Sequence, residues 1–195
     1  MFYFASRAVC FVFLKTFFSL RVFGQENVPK KGGFILASNH VSFLDPVAVG
    51  VACPRKLNYM ARDTLFSNRL FAWLLNDCGS FPLKRDSADL SALKEAIKRL
   101  KSGQGLLLFP EGRRSADKDT LLKPRAGVGF LASKLKVPVI PALVKGTDRA
   151  LPRGAKFFRS SNISVIFGKQ ILIERRMPYK DIAQQVINDI RHLSC

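Results

Sequence analysis

Six short, largely apolar runs, each closed by a turn or a charged cluster, leave few folds open to this chain. They are Gly33–Ser38, Leu57–Ala61, Gly79–Leu83, Leu106–Phe109, Val139–Val144 and Ile163–Phe167. Runs this short suit strands, and hydrophobicity without alternation suits strands buried on both faces. Between them lie segments of helical period. Leu90, Leu93, Ile97 and Leu100 share one face, and Ile182, Val186, Ile190 and Leu193 another, with Pro178 suited to the first turn. Asp86 or Ser87 is placed to cap the helix that begins near Leu90. Strands alternating with helices predict a mixed α/β sandwich. At 195 residues the chain suits one domain with a substantial core. Pro141 is expected to interrupt its strand. No internal repeat or low-complexity tract divides the chain.

The first 24 residues differ from the rest. They are rich in Phe, Val and Leu but carry Arg7, Lys15 and Arg21. The longest uncharged apolar run, Ala8–Leu14, falls far short of the ~20 residues a spanning helix needs. Lys15 breaks any signal-peptide core, and no small-x-small cleavage site follows. As a helix, the segment gathers its three cations within an arc of about 120°. Two readings follow. The helix lies amphipathically in a membrane interface, cations towards headgroups and Phe into the acyl region. Alternatively it packs on the protein's own core with snorkelling cations. The first divides the chain into a membrane-associating segment, 1–24, and a main domain, 25–195.

Lys and Arg number 32 against 14 Asp and Glu, a net charge of +18. Such an excess favours an anionic partner: an acidic membrane, an acidic carrier protein, a phosphorylated substrate or nucleic acid. The 17 Phe fall in apolar runs rather than beside exposed basic tracts, which argues against base stacking and nucleic acid. Cys10, Cys53, Cys78 and Cys195 lie far apart without metal-ligand spacing, as isolated thiols in a reducing compartment would. No metal site is expected.

Three chemistry-bearing clusters each follow a predicted strand: His40 with Asp45, Lys84 with Arg85, and Glu111-Gly112-Arg113-Arg114. Strand ends on one sheet edge are where α/β proteins build sites, so parallel neighbouring strands would bring the clusters together. In Asn39-His40-Val41-Ser42-Phe43-Leu44-Asp45-Pro46 a helix starting near Ser42 lets Asp45 fold back onto an imidazole nitrogen. The carboxylate then sets the tautomer and leaves the other nitrogen to take a proton. Spacing alone equally allows a strand-edge His and a helix-start Asp that never meet. The arginines fit phosphate oxygens bidentately, or are solvated surface with Glu111 as counterion. Other motifs are absent: there is no G-x-S-x-G and no Walker loop. Gly127-Val128-Gly129-Phe130-Leu131-Ala132 follows Lys123-Pro124 rather than a strand, and reads as close helix packing. His192 reads as surface.

These blocks resemble, in order, those of the glycerolipid acyltransferases of the 1-acylglycerol-3-phosphate acyltransferase type. NHVSFLDP is similar to the His-x4-Asp block, GSFPLKRD to the second block ending in Arg85, FPEGRRS to the third (usually FPEGTRS) and VPVIPALV to the fourth. Lys123 and Gly127 fit the lysine and glycine that follow the third block. The resemblance covers nearly the whole chain after Asn27. It implies a glycerolipid acyltransferase-like fold and transfer of an acyl chain from acyl-CoA or acyl carrier protein, as co-substrate without a cofactor, to the hydroxyl of 1-acylglycerol-3-phosphate. The product is phosphatidic acid, made at the cytoplasmic face of an anionic membrane. His40 is implied as general base and Asp45 as its orienter. Glu111 and Gly112 are implied in acceptor binding, and Arg85 and Arg114 in holding its phosphate. Lys84 is added from charge and proximity. Arg113 replaces the usual Thr, which leaves open another lyso-lipid or a lipid amine as acceptor. A non-catalytic protein docking on anionic membrane is the alternative of a different class.

Overall fold

The computed structural model describes residues 2–84, 89–114, 124–173 and 177–193. Arg85, Lys123 and the proposed caps Asp86 and Ser87 lie outside them. The chain opens with helix α1 (Phe2–Phe18) and strand β1 (Arg21–Phe23), then β2 (Phe34–Ser38), α2 (Asp45–Ala52) and β3 (Leu57–Arg62). Next come α3 (Arg69–Asp77), β4 (Ser80–Leu83), α4 (Leu90–Lys101) and β5 (Gly105–Leu108). The rest is α5 (Gly127–Leu135), β6 (Val139–Lys145), the short α6 (Thr147–Ala150), β7 (Ser164–Phe167) and α7 (Tyr179–His192).

One sheet of order β1-β7-β6-β2-β5-β3-β4 runs through the molecule. Every pairing is parallel except β6 with β7. The central β2 is buried along its whole length, and its residues alternate between two cores. Phe34 and Leu36 pack with Leu14 and Phe18 of α1 and with Ala48, Val49 and Ala52 of α2. Ile35 and Ala37 pack on the other face with Ala96 and Leu100 of α4, Leu131 of α5 and Val186 and Ile190 of α7. Helices on both faces make the expected α/β sandwich and explain why this strand reads as an unbroken apolar run.

Several local expectations need correction. Residues 21–23 are not helical: β1 pairs with β7, so Arg21 shares no helix face with Arg7 and Lys15. Of the two cations on α1, Arg7 does not point outward, whereas Lys15 is exposed. Arg7 Nη2 donates to Val51 O (3.2 Å) and Cys53 O (2.8 Å), and Lys15 Nζ to Leu20 O (3.3 Å). The last carbonyls of a helix lack intrahelical donors, and a guanidinium supplies them at the end of α2. Apart from Lys15 and Thr16, the outward face of α1 is apolar, with Phe4, Val9, Phe11, Val12 and Phe17 exposed, while Tyr3, Leu14 and Phe18 are buried. No helix among the described residues is long and apolar enough to cross a membrane.

β6 runs straight through Pro141. Pro141 O accepts from Gly168 N (2.8 Å), so its missing N–H faces the flank where β7 has already ended at Phe167. The cap of α4 is Asp89, whose carboxylate accepts from Ser91 N and Ala92 N (both 3.0 Å). A further bond from Lys84 N (2.9 Å), with the Ser91 hydroxyl and Ala92 N–H, holds this carboxyl well below the usual range. Gly129 does mark close helix packing. A Cβ there would lie 2.1 Å from Tyr179 O at the start of α7. His192 is exposed, as expected.

Candidate active site

β2 ends at Ser38, and the chain turns before entering α2 at Asp45. The turn begins from a fixed point. The Asn39 side chain donates to Val144 O (2.9 Å) and accepts from Val144 N (2.8 Å), extending the β2–β6 pairing one step with an amide in place of backbone. His40 follows, 8% exposed. Its Nδ1 lies 2.8 Å from Asp45 Oδ2, so the two residues do meet. That oxygen also accepts from Val41 N and Ser42 N (both 2.7 Å), while Oδ1 accepts from the Thr147 hydroxyl (2.5 Å). Asp45, wholly buried, thus meets donors on both oxygens. Three of them sit in the turn itself, which is why a four-residue gap suffices to fold the carboxylate back. With Asp45 as acceptor, the proton lies on Nδ1 and the Nε2 lone pair is left open. Nε2 makes no hydrogen bond to any described residue. The imidazole stacks on Phe109, ring centroids 4.0 Å apart and planes 17° off parallel.

β5 is the neighbour of β2, and its C-terminal end carries Phe109 and Glu111 to the same place. Glu111, 3% exposed, accepts from His40 N (3.1 Å) through Oε1. One of its oxygens therefore holds the backbone of His40. Gly112 adopts a left-handed φ of 69°, and a Cβ there would come within 2.6 Å of the Arg125 side chain. Arg113 is exposed. The Arg114 guanidinium lies 3.7 Å over the ring of Phe43, which belongs to the His40–Asp45 turn. Two of the three expected clusters thus converge.

The third does not follow a neighbouring strand. Lys84 follows β4 at the far edge, with β5 and β3 between that strand and β2. At ~4.8 Å per strand that offset is about 14 Å. Lys84 is exposed and Arg85 lies outside the described residues, so among the described residues the convergence is seen for the clusters after β2 and β5. Among the described residues no group of His, Cys, Asp and Glu could hold a metal ion.

Sequence reading gave no role to Thr147, Asn39, Phe109 or Phe43. Thr147 lies 102 positions from Asp45, and only the β2–β6 pairing brings it there. Phe43 and Phe109 stand inside blocks already singled out, but their ring contacts have no spacing signature. Replacing Thr147 by Val would leave Asp45 Oδ1 without its donor. A loss of about 1–2 kcal/mol is expected by chemical denaturation, with a several-fold fall in turnover; unchanged values would show the bond to be dispensable.

The family described as Acyltransferase matches residues 19–145. The chain is 32% identical over 163 residues to the 1-acyl-sn-glycerol-3-phosphate acyltransferase of Bacillus subtilis (strain 168), covering 81% of this chain and 78% of that protein. It is 30% identical over 159 residues to a chloroplastic 1-acyl-sn-glycerol-3-phosphate acyltransferase of Arabidopsis thaliana, of which it spans 44%. The crystal structure of the 1-acyl-sn-glycerophosphate (LPA) acyltransferase from Thermotoga maritima has the same fold: TM-score 0.78 at 24% identity, over 97% of this chain and 78% of that one. With a sheet and helices laid out as in that structure, and a family match across most of its length, this chain belongs to the acyltransferase family of the 1-acyl-sn-glycerol-3-phosphate acyltransferase type.

Proposed function

We propose that the protein acylates 1-acylglycerol-3-phosphate at its free hydroxyl, giving phosphatidic acid, with acyl-CoA or acyl carrier protein as donor and no cofactor. The observation that carries this reading is the buried His40–Asp45 pair, with Nδ1 held and Nε2 left open. Nε2 takes the proton of the acceptor hydroxyl as its oxygen attacks the thioester carbonyl. The tetrahedral intermediate collapses, the C–S bond breaks, and the departing sulfur receives the proton from the imidazolium. An ester and a thiol result, and no protein nucleophile is needed. Asp45 holds the ring and balances the imidazolium charge. Glu111 acts by fixing the His40 backbone, and Gly112 by letting its loop pass close to Arg125. Arg114, steadied by Phe43, and Arg113 face the acceptor phosphate, and Arg85 is assigned to the same phosphate from its sequence block alone. Lys84, on the far edge strand, serves the outer approach of the anionic substrates.

The protein works on the cytoplasmic face of the membrane, where its thioester donors are. The apolar outer face of α1 lies in the interface rather than across it, and an anionic surface suits a net charge of +18. A thiol-release assay crossing acyl-CoA and acyl carrier protein with lysophosphatidic acid, other lysophospholipids and a lipid amine tests the reading. Turnover on lysophosphatidic acid is expected to exceed that on acceptors lacking the phosphate monoester. Thiol release with no acceptor in the panel would overturn it.

Arg113, an added cation beside Arg114, favours the more anionic acceptor. Arg113→Thr is expected to raise KM for lysophosphatidic acid about three- to tenfold, in keeping with one charge-assisted phosphate contact, with kcat little changed. An unchanged KM would remove Arg113 from the site.

A further inference from the structure

A cluster of fixed positive charge lies at the other end of the sheet from His40. Arg55 and Lys56 precede β3, and Gln104 precedes β5, whereas the active-site groups follow β2 and β5. A strand of five residues is ~17 Å long, so this end is a separate region of the surface. A cleft of about 710 Å³ opens there, lined by Arg7, Arg55, Lys56, Lys98 and Arg99 with a single carboxylate, Glu95. Glu95 is already bound to Arg99 Nε at 2.7 Å. Five cations less one carboxylate leave four positive charges around the cleft.

Apart from the Glu95–Arg99 pair, neutral oxygens rather than counterions hold four of these five cations. Arg55 Nη1 donates to Pro29 O (2.8 Å) and Gly32 O (2.9 Å), and Nη2 to Gly103 O (2.6 Å). Arg99 Nη1 donates to Gly79 O and Asn58 Oδ1 (both 2.6 Å), and Lys56 Nζ to Asp77 O (2.9 Å). Arg7 caps α2, as described. Carbonyl bonds fix the groups in place without cancelling their charge, so the field is organised before any ligand arrives. Lys98 is exposed and makes no hydrogen bond to a described residue, which leaves it available to an anion, while the Arg99 guanidinium also lies over the Phe81 ring.

The neighbouring surface specifies the kind of anion. Phe4 lines the cleft and stands 67% exposed on the same side of α1 as Phe11 and Val12. A cationic cleft therefore opens directly onto an apolar strip. A soluble phosphate would use only the first, whereas a phospholipid uses both.

We propose that this cleft binds the phosphate headgroup of an anionic phospholipid, with the acyl chains lying along α1, at a site distinct from the one that turns substrate over. The proposal rests on the reading of α1 as membrane-facing, but not on acyl transfer.

The test is co-sedimentation of the full chain with phosphatidylcholine vesicles, with and without phosphatidylglycerol, which is neither the proposed acceptor nor its product. Lys98→Glu reverses a charge that makes no internal bond. It is expected to weaken binding to the anionic vesicles about tenfold, while Lys180→Glu, the same change on exposed α7 away from the cleft, costs less than about twofold. Binding to pure phosphatidylcholine and turnover on a short-chain monomeric acceptor should be unchanged by Lys98→Glu. By contrast, Phe4→Ser with Phe11→Ser should lower binding to both vesicle types, so failure of the α1 reading is told apart from failure of the cleft. Equal losses for Lys98→Glu and Lys180→Glu would reduce the effect to general surface charge and overturn the proposal. Saturable binding of glycerol phosphate that Lys98→Glu abolishes, without any vesicle effect, would overturn it in favour of a soluble anion.

Discussion

His40→Ala is expected to remove acyl transfer almost completely while leaving a folded protein. Positioned base catalysis is worth ~10²–10⁴ in rate, and the proposed reaction has no second group to take the hydroxyl proton. The fold should bear the change. His40 gives up one ring stack on Phe109 and one bond to Asp45, and Asp45 keeps its donors from Val41, Ser42 and Thr147. The stability loss should stay within about 2 kcal/mol. Turnover and thermal unfolding of the same preparation check both halves. A folded His40→Ala protein keeping more than about a tenth of wild-type turnover would remove His40 as the base, because the smallest expected effect is ~10²-fold.

Asp45 behaves differently because it has two jobs. Asp45→Ala is expected to be the more damaging change to the fold. It strands two backbone N–H groups and a hydroxyl in a fully buried turn, at roughly 1–3 kcal/mol for each unsatisfied group. A total of about 3 kcal/mol or more should show as a lower denaturant midpoint at unchanged slope. Asp45→Asn separates the jobs. Its carbonyl oxygen can still accept from the turn, and its amide can donate to the Thr147 oxygen, so the fold should survive. The negative charge opposite the imidazolium is gone, and turnover should fall ~10²–10⁴-fold. Asp45→Asn with near-normal turnover would leave the carboxylate a purely structural part. An Asp45→Ala protein as stable as wild type would mean that its donors find other partners.

These contrasts show how far the residue pattern reaches. The sandwich was legible because burial on both faces writes itself into a strand as continuous hydrophobicity, as in Phe34–Ser38. His40 and Asp45 were legible as candidates because they lie in one short turn, and local geometry can be read over five residues. Their contact was not. It depends on Val41 and Ser42 presenting their N–H groups to the same oxygen. The orientation of α1 was not legible either. A cation placed on a helix by its period is the same in sequence whether it meets water or another helix's carbonyls. The open carbonyls at the end of α2 decided it, by drawing Arg7 inward and leaving Phe4, Val9, Phe11 and Val12 outside.

By itself, then, the sequence determined the class of fold, the order of the blocks and the residue types available for proton transfer and phosphate recognition. All of these are carried by local composition and short spacing. Strand order was left to the tertiary structure, and strand order decides distance. β5 beside β2 puts Glu111 on the backbone of His40, and β6 on the other flank brings Thr147 to Asp45. β4 at the far edge keeps Lys84 away, although it follows its strand as His40 follows β2. The physical reason is that strand pairing joins segments a hundred residues apart through backbone bonds common to every residue, which mark no position in the chain as the neighbour of another.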